Sequence, residues 1–268
     1  MLGLGRMGRE ILAAMAGQSD LQLHGAWVRA GSDLDGVDLA VMPGESGEAG
    51  RGIVATSRID DVLNGADVAI DFSLPEANRE ILAASVRAGT PLVCGVSGLG
   101  DDDLAAMRDA ARVIPVFYDR NMSIGVAVMR RLVAQSASLL GPEFRADIHD
   151  THHAHKRDAP SGTALLLGES VAGARGQDFR QVMQYPAGRP DAVRSTGDIR
   201  FHVIREGEHP GQHTVTFSDA AEQLSIVHDV RNRRVFAAGA LRAARWLATR
   251  PAGRYGMNEF LDDLAGKD

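Results

Sequence analysis

The sequence predicts an α/β fold: a doubly wound parallel sheet, joined to an α+β unit with an open mixed sheet. Three observations predict it. Short apolar runs alternate with helical periodicity through the first 120 residues, strand-like runs dominate the later part, and a glycine-rich segment opens the chain ahead of the first helical pattern.

Each element follows from local pattern. Met7, Ile11, Leu12 and Met15 recur at helical spacing, which predicts a helix over 9–16 that Gly17 ends. Strands are expected over 21–28, 67–72, 91–94 and 113–117, with helices over 76–88 and 101–111 between them. A long helical pattern over 122–140 leaves this unit. Strands over 147–152, 199–205, 213–217 and 223–229 then surround one clear helix over 162–174. A last helix over 236–248 carries a small apolar face suited to packing on the first unit. Residues 187–197, with glycines, a proline and charges, read as a mobile loop.

Composition narrows the function. The 268 residues are 44% hydrophobic and 24% charged, the balance of a globular chain, with a formal net charge of -6 that disfavours a general nucleic-acid binder. No run is apolar for long enough to span a bilayer and no signal peptide is evident, so a cytoplasmic protein without a membrane partner is expected. The single cysteine, Cys94, ends the run Pro91-Leu92-Val93-Cys94 and reads as a buried small apolar residue.

Gly3, Gly5 and Gly8 fit G-x-G-x-x-G at the mouth of a helix, where a backbone without side chains can approach a pyrophosphate. The strand that should precede this loop is reduced to Met1 and Leu2. Either the true start lies upstream, or the sheet lacks its first strand and the cofactor site is compromised. At the end of the second strand the chain reads Trp27-Val28-Arg29-Ala30, with no carboxylate until Asp33. Arg29 there favours NADPH over NADH by accommodating a 2′-phosphate, or else it is a solvated strand-end residue.

The richest stretch is His149 to Gly168, where four histidines and Lys156 precede Pro160, Ser161, Gly162 and Thr163 at the start of a helix. The free N–H groups of that helix start suit an anion, and a carboxylate-bearing substrate is the natural ligand. His152, His153 and Lys156 are candidates to steer or protonate it. Asp150, His152, His153 and His155 could instead bind a metal, although Lys156 would be repelled by a dication. A non-catalytic dinucleotide sensor is a further alternative, but no helix-turn-helix or basic recognition element accompanies the fold.

These residues resemble the 4-hydroxy-tetrahydrodipicolinate reductase (dihydrodipicolinate reductase) family. Its signature E-x-H-H-x-x-K-x-D-A-P-S-G-T-A is matched from Asp150 to Ala164, with Asp150 in place of the glutamate. Further matches are Gly5 to Gly8, Asp71-Phe72-Ser73, Gly95 to Gly98, Asn121 to Val126 and Arg233 to Ala240. The resemblance implies a Rossmann-like dinucleotide-binding domain of residues 1–122 and 233–268, and a substrate-binding and oligomerisation domain of residues 123–232. It implies reduction of a cyclic unsaturated dicarboxylate on the diaminopimelate and lysine route by NADPH or NADH, in a homotetramer. His152 and Lys156 would be the catalytic pair, with Lys156 the proton donor. His153, Ser161, Gly162, Thr163 and Arg233 would bind substrate. Gly3, Gly5, Arg6, Met7, Gly8, Arg29, Phe72, Ser73, Gly95, Val96, Ser97, Arg120, Asn121 and Met122 would bind the cofactor, and no metal is implied.

Overall fold

The computed structural model describes residues 1–185 and 196–266, so the expected loop at 187–197 lies outside the described residues except for its last two. The chain forms two compact units, Met1–Ser123 with Arg234–Asp268, and Ile124–Arg233.

The first unit contains α1 (Arg6–Met15), α2 (Glu45–Ala49), α3 (Ile59–Leu63), β1 (Ala69–Asp71), α4 (Asn78–Ala88), β2 (Leu92–Cys94), α5 (Asp101–Ala110) and β3 (Pro115–Tyr118). The chain later returns to it as α9 (Arg234–Leu247), β9 (Gly253–Tyr255) and α10 (Met257–Leu264). Strands β1, β2, β3 and β9 pair in that order, all parallel. Isolated parallel bridges carry the sheet past β1: Asp71 to Leu2, Leu2 to Trp27, and Trp27 to Thr56. Chain order therefore reverses between Leu2 and β1, which is the switch point where doubly wound sheets bind ligands. Every residue of β1 and β2 is buried, as a parallel sheet covered by helices on both faces requires.

The first strand is present as a stub. Leu2 N–H donates to Ile70 O (2.8 Å) and Gly3 N–H to Trp27 O (3.0 Å), while Trp27 N–H donates to Met1 O (2.9 Å) and Phe72 N–H to Leu2 O (3.0 Å). Three residues thus pair on both sides as a central strand does. The strand expected over 21–28 is correspondingly reduced to the bridge at Trp27, because a ladder needs a partner and Met1 to Gly3 supplies one only at its end. Next to this stub lies a cavity of about 650 Å³, flanked by Leu21 to Gly25 on one side and by Asp67 to Ala69 on the other, with Leu241 and Ala244 beneath.

Helix α9 buries Ala237, Ala240, Leu241 and Ala244 and packs on α1, β2 and β3. Small residues are required there. A Cβ on Gly239 would lie 1.7 Å from Met122 O. Sequence reading missed β9 and α10, which are short and held by tertiary contact: Phe260 packs edge-on to Phe117 and Trp246, at ring centroid distances of 6.3 and 5.6 Å.

The second unit contains α6 (Ile124–Leu140), β4 (Arg145–His152), α7 (Gly162–Ala174), α8 (Phe179–Val182), β5 (Met183–Gln184), β6 (Ile199–Arg205), β7 (Gly211–Ser218) and β8 (Gln223–Val230). Its sheet runs β5-β6-β4-β7-β8 and is mixed, with β4 parallel to β6 and antiparallel to β7. Strand alternation decides the faces. Ala146 and Ile148 join Phe201, Val215 and Phe217 in a core with Val133, Leu167 and Val171 of α6 and α7. Asp147, His149 and Thr151 alternate with them onto the opposite face, where His149 stacks on His202 at 4.6 Å. Register then places Asp150 opposite His213 and His152 opposite Arg205.

The cavity beside Met1 gives a test. Fusing about five extended, β-branched residues ahead of Met1 is expected to pair them with the flanking backbone, bury apolar surface and raise Tm by about 5 °C. Melting curves of the fused and unfused chains check this; identical Tm values would show that the cavity does not accept a strand.

Candidate active site

In the first unit the expected cofactor residues collect where parallel strands end. Phe72 and Ser73 follow β1, Gly95 to Ser97 follow β2, and Arg120 to Met122 follow β3. A cavity of about 1110 Å³ opens beside the switch point and is lined by Gly3, Gly5, Arg29, Phe72 and Ser73. Arg6, Met7, Gly8, Gly95, Val96, Ser97, Arg120, Asn121 and Met122 do not line this cavity. Gly8 acts from below: its Cβ would sit 2.1 Å from Gly3 O, so α1 closes on the loop only with glycine there. Gly3 has φ +84° and its Cβ would sit 2.9 Å from Ser73 backbone. Gly5, the N-cap of α1, leaves open space where a Cβ would be. The bare loop, the helix N-terminus and the size of the cavity fit a dinucleotide.

Arg9 also lines this cavity, beside Arg29, and sequence reading missed it. It lies in the first turn of α1, and its Nε–H donates to Leu4 O (3.2 Å). Asp33, Glu76 and Glu80 line the same cavity, so its charge is mixed.

Beneath the loop lies a buried carboxyl. Asp71 Oδ1 accepts the Ser73 N–H (2.8 Å), fixing the turn against which Gly3 packs, and Cys94 Sγ lies 3.8 Å from Oδ2. Burial pushes the Asp71 pKa up to about 6, against the hydrogen bonds from Ser73. Burial likewise pushes the Cys94 thiol up, so the cysteine is an inert packing residue.

In the second unit the site is built around Asp150, near the end of β4. Its Oδ2 accepts from Ser161 N (2.7 Å) and Arg205 Nη2 (3.0 Å). Its Oδ1 accepts from Ser161 Oγ (2.7 Å) and faces His152 Nδ1 at 2.9 Å and His213 Nε2 at 3.3 Å. Burial alone would raise the Asp150 pKa, but the contacts from His152, His213 and Ser161 outweigh it and hold the carboxyl well below the usual carboxylate range. Ser161 in turn caps α7, its Oγ accepting from Ala164 N (3.2 Å), so Gly162 and Thr163 form the first turn, where N–H groups precede the helical ladder. Lys156 Nζ pairs with Asp158 Oδ2 at 2.8 Å, and Arg233 Nη2 lies 3.2 Å from His153 Nε2. Desolvation, then the Arg233 charge, lower the His153 pKa.

Thus His152 and Ser161 come together on the Asp150 carboxylate, and His153 meets Arg233. His155 does not join them: it is 81% exposed, 3.9 Å from Glu208. Asp150, His152 and His213 have metal-like spacing, a different set from the one the sequence suggested. The donors do not suit a cation. Both carboxylate oxygens already accept hydrogen bonds, and the Arg205 guanidinium would repel a dication. Arg205 and His213 were invisible to sequence reading, since only strand register brings them to Asp150.

Comparison with known proteins shows the family of the chain. The chain matches the family models for the dihydrodipicolinate reductase N-terminus over residues 1–122 and C-terminus over residues 125–261. It is 42% identical to the 4-hydroxy-tetrahydrodipicolinate reductase of Alkalilimnicola ehrlichii over 258 residues, which is 96% of this chain and 95% of that one. The enzyme of the same name from Pseudoalteromonas translucida is 38% identical with the same coverage. Among solved structures, the dipicolinate-bound dihydrodipicolinate reductase of Paenisporosarcina sp. TG-14 superposes with a TM-score of 0.74 at 21% identity, covering 96% of this chain and 97% of that one. The amine dehydrogenase of Mycobacterium smegmatis shares the fold at a TM-score of 0.59 and 12% identity, covering 94% and 92%.

Asp71 supplies a pH test. Its native pKa lies above the value of 3.8 expected when unfolded, so between about pH 4 and pH 6 the native carboxyl keeps a proton that the unfolded chain releases. Stability contributed by Asp71 is therefore present at low pH and lost as the pH rises through about 6, by roughly 3 kcal/mol. Asp71→Asn, neutral and still able to accept from Ser73, is expected to gain Tm relative to wild type from pH 4.5 to 7. Parallel Tm profiles would contradict this assignment.

Proposed function

Because the chain belongs to the dihydrodipicolinate reductase family, we propose how its own residues divide the work of that reaction. The protein is an oxidoreductase that converts 4-hydroxy-tetrahydrodipicolinate to tetrahydrodipicolinate on the diaminopimelate route to lysine, using a pyridine nucleotide. Replacing the 4-hydroxyl by hydrogen takes up one hydride and one proton and releases one water. The reduced nucleotide supplies the hydride when bound; the chain must supply the proton and hold the dicarboxylate.

Supporting the residue assignment is the meeting of His152, Ser161 and the first turn of α7 at one buried end of the second unit's sheet. Lys156 donates the proton and His152 shares in proton handling. Lys156 Nζ is held at 2.8 Å by Asp158 Oδ2. One substrate carboxylate lies on the Gly162 and Thr163 N–H groups at the positive end of α7, with Ser161 beside it. His153 and Arg233, already in contact, provide further donors for the dicarboxylate. The relative solved with dipicolinate, a planar dicarboxylate, supports a ligand of this class.

In the first unit the nucleotide pyrophosphate rests on Gly3 to Gly8 at the N-terminus of α1, with Arg6 and Met7 in that turn. Phe72, Ser73, Gly95, Val96, Ser97, Arg120, Asn121 and Met122 serve the nicotinamide half. Arg29, joined by Arg9, favours NADPH through the 2′-phosphate, and the nearby Asp33, Glu76 and Glu80 keep that preference modest. The domains then divide as nucleotide-binding, residues 1–122 and 233–268, and substrate-binding, residues 123–232. The open face of the second sheet, which carries His149, His202, Thr214 and Val227, is the surface on which copies assemble into a homotetramer. A cytoplasmic location fits this reaction; among the described residues no helix is long and apolar enough to cross a membrane.

Two measurements test these roles. Lys156→Met is expected to bind NADPH normally but to lose about 10²–10⁴ in kcat, the usual cost of losing a general acid. A kcat near wild type would remove Lys156 from proton delivery. Arg29→Ala is expected to reduce the ratio of NADPH to NADH affinity several-fold at low salt and less at high salt, as for a partly exposed charge pair. Dissociation constants for both nucleotides check it, and an unchanged ratio would leave Arg29 a solvated residue.

A further inference from the structure

We infer that Asp150 and His213 are positioning residues that hold the His152 ring in one orientation and one tautomer, with Gly211 clearing the space the ring occupies. The inference rests on the proposed role of His152 in proton handling. Asp150 carries no proton, so it can only accept, and the histidine nitrogen facing it must carry hydrogen. His152 Nδ1 lies 2.9 Å from Asp150 Oδ1, off the hydrogen-bonding direction and with no other partner. At that distance a bare ring nitrogen would be repelled by the carboxylate, so Nδ1 is the nitrogen that carries hydrogen, which leaves Nε2 free to take or give the working proton.

A carboxylate can orient a ring only if it is itself held. Asp150 is gripped from three elements besides its own: Ser161 at the start of α7, Arg205 at the end of β6, and His213 on β7. His213 completes the grip from a fully enclosed position, being 3% exposed. Its Nε2 lies 3.3 Å from Asp150 Oδ1 and 3.2 Å from Ser161 Oγ, while its Nδ1 is buried without a hydrogen-bond partner. That is the pattern of a neutral imidazole with Nε2–H aimed at the carboxylate, and burial, which lowers the His213 pKa, favours the neutral form. Its ring meets that of His152 edge-on at 5.2 Å. Two residues earlier on β7, a Cβ on Gly211 would stand 2.8 Å from His152 Nε2 and 3.2 Å from its Cδ2. Only glycine leaves the ring where Asp150 holds it. The other charged or titratable groups acting on this cluster are His153, Lys156 and His228.

The test compares His213→Leu, His213→Gln, Asp150→Asn and Gly211→Ala with His152→Gln in the full chain, by NADPH oxidation kinetics and by ¹⁵N NMR of the histidine rings. His213→Leu and Asp150→Asn are expected to lower kcat about 10–100-fold with KM and NADPH Kd within about threefold, because orientation and not binding is lost. His213→Gln, whose amide can replace the Nε2–H, should recover most of the rate. The His152 signal is expected in the Nδ1–H form in wild type and to move toward the Nε2–H form in His213→Leu and Asp150→Asn. Gly211→Ala should depress kcat with every donor still present. If His152→Gln turns over normally, the reading of His152 fails and this inference with it. If His152→Gln is crippled but His213→Leu and Asp150→Asn keep their kcat, or lose it with the tautomer unchanged, the positioning roles are overturned while His152 stands. Should Asp150→Asn not fold, the His213 pair decides the outcome alone.

Discussion

An ionised carboxylate buried in a protein must have its lone pairs met by donors, and in the second unit that requirement falls on Asp150. Its partners come from α7, β6 and β7, so satisfying one side chain ties the start of a helix to two strands on either side of β4. The same contacts that make its burial tolerable also place the residues of the site. Ser161 can cap α7 only where the carboxylate fixes it, and the first turn that follows is thereby aimed. Removing the Asp150 carboxylate would leave its partners buried and unpaired, which costs more than the pairing itself contributes.

The first unit solves a different problem, close approach of backbone to backbone. Gly3 against Ser73, Gly8 against Gly3, Gly95 against the Phe72 ring and Gly239 against Met122 are contacts at which a Cβ would fall inside van der Waals distance. Three of these glycines press the loops after Leu2, β1 and β2 together at the switch point, and the fourth brings α9 against the turn after β3. The cavity of about 1110 Å³ is what remains beside them. Rigid loops at strand ends suit a ligand whose phosphates are held by N–H groups with little help from side chains. Leu2 pairs with Ile70 and Phe72 on one side and Gly3 with Trp27 on the other, which fixes the start of the loop.

The hydrophobic pattern made most helices and the long strands of the second unit legible, because burial on one face imposes a period that shows in sequence. It failed where structure came from a partner. The strand over 21–28 had the right composition but only a short neighbour to pair with, and survives as a bridge at Trp27. Strand β9 has too few residues to show a period, whereas α10 carries Met257, Phe260, Leu261 and Leu264 at helical spacing, a signal that was legible in the sequence; α10 is held by Phe117 and Trp246.

For the site, the sequence by itself determined the chemical kinds and their local order: glycines at a helix mouth, a lysine among histidines, and a serine poised to cap the next helix. These are legible because capping, glycine loops and the signature from Asp150 to Ala164 are contiguous in the chain. Only the tertiary structure decided that Arg9 joins Arg29, that His155 points to solvent, and that Asp150 is gripped by Arg205 and His213. The grip on Asp150 depends on the register of β4 against β6 and β7, across separations of more than fifty residues. Register is set by which faces of all the strands must be buried together, and no single stretch of sequence contains that information.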